Sequence, residues 1–186
     1  MSNINLTEVY IKGLYIIETK QVRLNESDFF VEIYNKKLFN QYEINNELES
    51  NIEITTKKGC MRGLYFYRNI SVFKLVRVIK GEVYFVAIDL RRESATFGKY
   101  YGITLSEHNR KQFYIPDKFA YGFLALDDVN TITINSNVYD INEEKLGIAW
   151  NDRDLKIEWP LDKAGNIIVS RQDQRWAVFK EILKIL

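Results

Sequence analysis

One stretch, EVYFVAIDL at residues 82–90, limits the fold more than any other part of the chain. A strand points successive side chains to opposite faces, and here both sets are apolar: Val83, Phe85 and Ala87 against Tyr84, Val86 and Ile88. Neither face can lie in water, so the strand must sit between two layers, in packed sheets or a closed barrel. Its neighbours agree. VYIKGLYIIET, FFVEIYN, NIEITT, YYGITL, KQFYI, YGFLAL and TITINSNVY are short runs of aromatic and β-branched residues between polar or glycine-containing turns. The chain reads as an all-β, mostly antiparallel sandwich or barrel. Lys80 and Gly81, between LVRVI and EVYFVAIDL, predict a tight hairpin with Gly81 at positive φ. Near the C-terminus Trp176, Phe179, Ile182, Leu183 and Leu186 recur at helical spacing, which predicts a short amphipathic helix with Ser170 or Asp173 as its N-cap. No repeat or linker divides the 186 residues, so one domain over 1–186 is expected.

Composition narrows the function by exclusion. The 26 lysines and arginines nearly balance 25 aspartates and glutamates, so no field draws the chain to nucleic acid or an anionic membrane. A single cysteine, Cys60, forms no internal disulfide and reads as a small buried hydrophobe; with a single histidine it cannot assemble a usual zinc site. No apolar run approaches the roughly 20 residues that span a bilayer, and MSNINLTEVYIKG shows no basic stretch followed by an apolar run, so no leader is expected in it. A cytoplasmic protein without metal or cofactor is expected.

The chemistry concentrates in GCMRGLYFY, residues 59–67. Glycines flanking Arg62 let an anion approach the backbone, and the guanidinium grips phosphate. Strict alternation would put Arg62 and Tyr65 on opposite faces; a bulge at Gly63 would bring both to one pocket. Taken in order, FFVEIYN, GCMRGLYFY, the run from KLVRVIKGEV through DLRRESATFG to FAYGFLAL, WND followed by IEWP, and SRQD resemble the dTDP-4-dehydrorhamnose 3,5-epimerase family over nearly the whole chain. The resemblance implies a cupin-type jelly roll, a homodimer, a nucleotide-sugar ligand, and a role in making surface-polysaccharide sugars.

It also implies roles. The family removes a proton beside a sugar ketone and returns one on the opposite face, which needs a base, an acid and a cation near the oxygen. By resemblance Arg62 falls on a phosphate-binding position, Lys74 on the enolate-stabilising lysine, Asp173 on the carboxylate of the base dyad, and Phe30 and Glu32 on ligand-contacting positions. Tyr65 stands where the family carries its basic histidine, and Tyr121 replaces the histidine of FAHGF. The tyrosine acid corresponds to Tyr139, offset by one residue, with Asp140 at the aligned position. Further departures gather nearby: Ser27, Asp28, Ser50, Ile52, Tyr67 and Phe85 replace polar or ligand-contacting family residues. The only histidine, His108, lies in the polar SEHNRK turn, where the family has no catalytic group.

Tyrosine is a poor substitute base. Its ordinary pKa of about 10, against about 6.5 for histidine, makes ionisation at pH 7 cost roughly 4 kcal/mol. Arg62 and Lys74 would lower that cost, whereas Asp173 would raise it by like charge. Each residue also has a structural reading: Arg62 paired with a carboxylate, Lys74 on an exposed edge, Asp173 as an N-cap, Tyr121 and Tyr67 as core aromatics. Two functions are therefore expected to compete, an epimerase with a rebuilt pocket centred on Tyr65, and a catalytically silent relative that binds a sugar nucleotide or a partner. Keto-sugar isomerase chemistry ranks third.

Overall fold

The computed structural model describes residues 3–42, 44, 47–138 and 145–186. The first half contributes β1 (Ile4–Glu8), β2 (Tyr15–Thr19), β3 (Gln21–Arg23), β4 (Phe29–Val31), α1 (Lys36–Gln41), β5 (Ser50–Lys57), β6 (Cys60–Phe66), β7 (Lys74–Lys80) and β8 (Glu82–Asp89). The second adds β9 (Tyr100–Ser106), β10 (Gln112–Ile115), β11 (Phe119–Ala125), β12 (Val129–Ser136), β13 (Leu146–Gly147), α2 (Leu161–Ala164), β14 (Ile168–Val169) and α3 (Phe179–Ile182).

Two sheets face each other. One runs β1-β2-β10-β7-β12-β5, the other β13-β6-β11-β8-β9, and β14 joins β6 in parallel. Strands β3 and β4 form a separate two-stranded ribbon. Between the sheets lie Val76, Val78, Val83, Phe85, Ala87, Phe113, Phe123, Ile132 and Ile134. The doubly apolar strand behaves as its sequence demands: Val83, Phe85 and Ala87 enter this core, while Val86 and Ile88 are buried on the outer side against Phe179 and Ile182.

The predicted hairpin is not formed. Lys80 and Gly81 carry the chain from one sheet to the other: β7 pairs with β10 and β12, and β8 with β11 and β9. Gly81 does adopt positive φ (79°), and a Cβ there would lie 2.5 Å from the Val129 carbonyl oxygen. The physical reason is the doubly apolar strand. β8 must be covered on both faces, and β7 in the opposite sheet lays Val76 and Val78 over one of them, which a hairpin partner in the same sheet could not do.

The C-terminal helix is shorter than the spacing of its apolar residues suggests. Asp173–Arg175 forms a single 3-10 turn, Trp176 is extended, Ala177 bridges Ile148, and α3 begins only after Val178. Neither predicted residue caps α3. Ser170 Oγ instead accepts from the Asp173 amide at 3.0 Å, and the cap of α3 comes from Asp152, whose Oδ2 accepts from the Phe179 amide at 2.7 Å. Among the described residues, no helix is long and apolar enough to cross a membrane.

Candidate active site

The bulge at Gly63 builds the site. Arg62 pairs with Phe123 and Tyr65 with Tyr121, so β6 spends one residue more than β11 across this interval. Gly63 has φ +104°, and a Cβ on it would lie 2.7 Å from the Tyr121 carbonyl oxygen, which only glycine tolerates. As a result Arg62 and Tyr65 line the same cavity of about 240 Å³ between the sheets. Ile52 and Ile54 of β5, Ile134 of β12 and Phe123 make its apolar walls; Tyr121, Lys145 and Gln172 complete it.

Asp173 lies behind Tyr65 and is 2 % exposed. The Tyr65 hydroxyl donates to its Oδ2 at 3.1 Å, and the Trp176 indole N–H donates to its Oδ1 at 2.9 Å. Asp173 is thus part of a buried pair, and its side chain is no helix cap. Burial raises the Tyr65 pKa, the charge and hydrogen bond of Asp173 raise it further, and Arg62 offsets only part of this. Tyr65 is a neutral phenol whose proton is held by a carboxylate. Burial likewise pushes Tyr121 upward, and its ring meets that of Tyr65 edge-on at 6.1 Å.

Lys74 faces inward, in phase with Val76 and Val78, and is 1 % exposed; it is no edge lysine. Its ammonium nitrogen donates to Ser136 Oγ at 3.1 Å and lies 5.4 Å and 5.7 Å from the ring centres of Tyr67 and Tyr121. Burial, and secondarily the charge of Lys145, lower its pKa to about 7. Beside it the Tyr67 hydroxyl is buried and has no hydrogen-bond partner among the described residues. A buried polar group without a partner costs free energy that a ligand atom can relieve.

The structure therefore brings together Arg62, Tyr65, Tyr121 and Asp173, with Lys74 adjoining. Phe30 and Glu32 lie elsewhere, on and next to the β3–β4 ribbon: Phe30 is 44 % exposed, and Glu32 accepts from Asn35 Nδ2 at 2.9 Å. Tyr139 and Asp140 lie outside the described residues. His108 is exposed in the β9–β10 turn, and Cys60 is buried. Sequence reasoning passed over Lys145, whose Nζ stands 5.8 Å from the centre of the Tyr65 ring and which belongs to no motif. It also assigned Trp176 to a helix stripe, although an indole N–H three residues after Asp173 was a signal that the half-buried ring had a polar partner. Among the described residues no cluster of His, Cys, Asp and Glu could hold a metal ion.

A double-sheet barrel of the cupin type, with arginine, lysine and buried phenols converging between its sheets, defines a jelly-roll protein built to enclose a small anionic ligand. The family model for dTDP-4-dehydrorhamnose 3,5-epimerase matches residues 8–181, and the chain belongs to that family. It is 36 % identical over 181 residues to the dTDP-4-dehydrorhamnose 3,5-epimerase of Methanothermobacter thermautotrophicus, covering 97 % of each chain. It is 32 % identical over 185 residues to that of Escherichia coli, again covering 97 % of each. Among solved structures it resembles a dTDP-6-deoxy-D-glucose-3,5-epimerase from Legionella pneumophila, in complex with dTDP-4-keto-L-rhamnose, at TM-score 0.91 and 31 % identity over 98 % of this chain and 97 % of that one. The Elizabethkingia anophelis epimerase superposes at TM-score 0.89 with 33 % identity, covering 96 % of this chain and 98 % of that one.

Proposed function

We propose that the chain binds a dTDP-linked 4-keto-6-deoxyhexose in the barrel cavity and transfers protons at a carbon beside its ketone. The observation that carries this reading is the convergence of Arg62 and the Tyr65–Asp173 pair on one cavity through the Gly63 bulge. Arg62 and Lys145 supply positive charge for the diphosphate. Tyr65 is a donor and not the base, because its proton is held by Asp173. Lys74 takes the base's part: with its pKa lowered to about 7, a large fraction of the amine is neutral near neutrality. Having accepted the carbon-bound proton, it becomes an ammonium beside the developing enolate oxygen and stabilises it.

A second reading is favoured by one specific observation. Lys74 is 1 % exposed, with the Tyr121 ring beside it, so the chain would be a silent sugar-nucleotide binder if no ligand carbon reaches the amine. Proton NMR with dTDP-4-keto-6-deoxyglucose in D2O separates the two. The first reading expects loss of a sugar C–H signal next to the ketone, abolished in Lys74→Met and retained in Tyr65→Phe. Binding of dTDP without exchange selects the second; exchange abolished by Tyr65→Phe but not by Lys74→Met would reinstate tyrosine as the base.

The proposal extends to assembly. Phe30 and Glu32 lie off the cavity within one chain, while β5 forms the outer edge of its sheet beside that cavity. In a homodimer, a second copy laying its β3–β4 ribbon along that edge would supply both residues and cover the open backbone groups. Within each copy the chain would act as one domain. A cytoplasmic location goes with one buried, unpaired cysteine, which suits a reducing compartment.

A further inference from the structure

We propose that the groove between the β1–β2 turn, the edge strand β9 and residues 154–156 is a second binding site, separate from the barrel cavity, for a neutral saccharide. At about 570 Å³ it exceeds the barrel cavity and falls within the range of roughly 300–1,000 Å³ typical of small-ligand sites.

The edge of β9 provides the polar recognition. Asp89 N–H donates to Lys99 and Glu107 N–H donates to Gly81, which sets the phase of the β8–β9 ladder: Tyr101 and Ile103 turn their backbone groups toward β8, and Tyr100, Gly102 and Thr104 turn theirs outward. Two of the outward carbonyls are occupied, that of Tyr100 by the Tyr10 hydroxyl and that of Thr104 by the Asn109 side-chain amide. Between them Gly102 presents both an N–H and a C=O without a partner among the described residues, with the Tyr84 side chain packed over its Cα. The absent side chain at Gly102 is what admits the Tyr84 ring, since a Cβ there would lie 1.9 Å from the Tyr84 hydroxyl. That hydroxyl also lines the groove, with no hydrogen-bond partner among the described residues. The site thus holds a donor and acceptor pair and a rotatable hydroxyl, a match for neighbouring sugar hydroxyls.

The apolar side of the ligand is provided for as well. Tyr10 is 66 % exposed yet fixed, its hydroxyl bonded to Tyr100 and its ring tilted 58° against Tyr101 at a centroid distance of 5.9 Å. Together the two rings form an aromatic corner on which the C–H face of a pyranose can rest. Because Tyr10 is already ordered, binding loses little side-chain entropy. The groove carries no strong excess of either sign: Lys99 and Lys156 are offset by Asp154 in the lining and by Glu158, whose charge acts on Tyr84. A neutral polyol suits that balance.

The test is saturation-transfer NMR on the full chain with millimolar cellobiose and maltose, with dTDP as competitor. The proposal expects transfer from the protein to at least one disaccharide, unchanged by saturating dTDP and by Arg62→Ala, and reduced at least tenfold by Tyr10→Ala. Tyr10 is exposed, so that variant keeps its fold, which its one-dimensional proton spectrum verifies. Absence of transfer from both disaccharides, persistence of transfer in Tyr10→Ala, or displacement by dTDP would each overturn it. So would a self-association that Tyr10→Ala abolishes together with the signal, because the groove would then be covered by a second copy.

Discussion

Asp89 and Asp173 are both buried carboxylates, and their surroundings could hardly differ more. Asp89, 0 % exposed, ends β8 and receives the Arg91 guanidinium at 2.7 Å and 2.8 Å, the Arg91 amide, and the hydroxyls of Ser94 and Thr96. Asp173 receives a phenol and an indole beside a cavity and, among the described residues, no ion pair. Burial alone would raise the Asp89 pKa; the donors outweigh it and lower the value to about 2. A carboxylate saturated by charged and local donors is a structural fixture, fastening the DLRRESATFG loop to the sheet. One held by neutral donors at the wall of a cavity leaves room for chemistry.

The largest expected effect tests the first half of this contrast. Asp89→Ala strands Arg91 and two hydroxyls at once, and breaking such a buried pair costs about 3–5 kcal/mol, read as a fall in the urea midpoint. The same hub gives a signature in acid. Its folded pKa is lowered, so its contribution is complete above about pH 4, the unfolded value, and is lost as pH falls toward 2. Wild-type stability should drop by roughly 2 kcal/mol through that window, and Asp89→Ala should show little of the drop. A variant as stable as wild type would remove the distinction between the two carboxylates.

Next in size is the cavity's own pH dependence, which falls in the opposite range. The folded pKa of Lys74 is lowered from 10.5 to about 7. Between these values the unfolded chain binds more protons than the folded one, so stability rises as pH climbs from about 7 toward 10.5 and the contribution is lost again as pH falls through 7. Across the window the gain is on the order of a few kcal/mol. Lys74→Met should flatten it and raise stability at pH 7, since methionine fills much of the same volume without a desolvated amine. Urea titrations of both proteins from pH 6 to 10 would show it; parallel curves would mean that Lys74 stays charged in the fold.

The framework was legible in the sequence because it follows from which residues must leave water. Alternation in EVYFVAIDL required two layers, and Gly63 before Leu64 was the one position where Arg62 and Tyr65 could be brought to a common pocket. What could not be read was pairing across distance. The local Lys80–Gly81 signal predicted a hairpin, but turn chemistry fixes only φ at Gly81 and not which sheet the next strand joins. Lys74 looked equally suited to an edge, since its burial depends on β12 and β10 flanking β7. Lys145 carried no signal, because it approaches the Tyr65 ring only through β13, a strand distant in sequence whose Gly147 pairs with Tyr65.

A smaller effect probes the bulge that joins the cavity's parts. Gly63→Ala would place a Cβ 2.7 Å and 2.8 Å from backbone atoms of β11 at φ +104°, where no flexible side chain can yield. We expect a cost of about 2 kcal/mol and, because Arg62 and Tyr65 would no longer share a register, weakened dTDP binding by calorimetry. Loss of stability with dTDP affinity intact would show that Arg62 and Tyr65 need not act together. No comparable dependence exists at the Asp89 hub, whose donors all lie within seven residues of it.

The smallest effect bears on Asp173 itself. Tyr65→Phe removes one of its two side-chain donors and keeps the ring contacts with Tyr121 and Trp176, so the expected cost is about 1–2 kcal/mol. Asp173→Asn should cost a similar amount, and the double variant less than the sum, because an amide facing a phenyl edge has no phenolic partner left to lose. A coupling near zero in that cycle would mean that the phenol and carboxylate ignore each other. Asp173 would then be a fixture like Asp89, held by Trp176 and the 3-10 turn, and Tyr65 would be freed from the carboxylate that now opposes its ionisation.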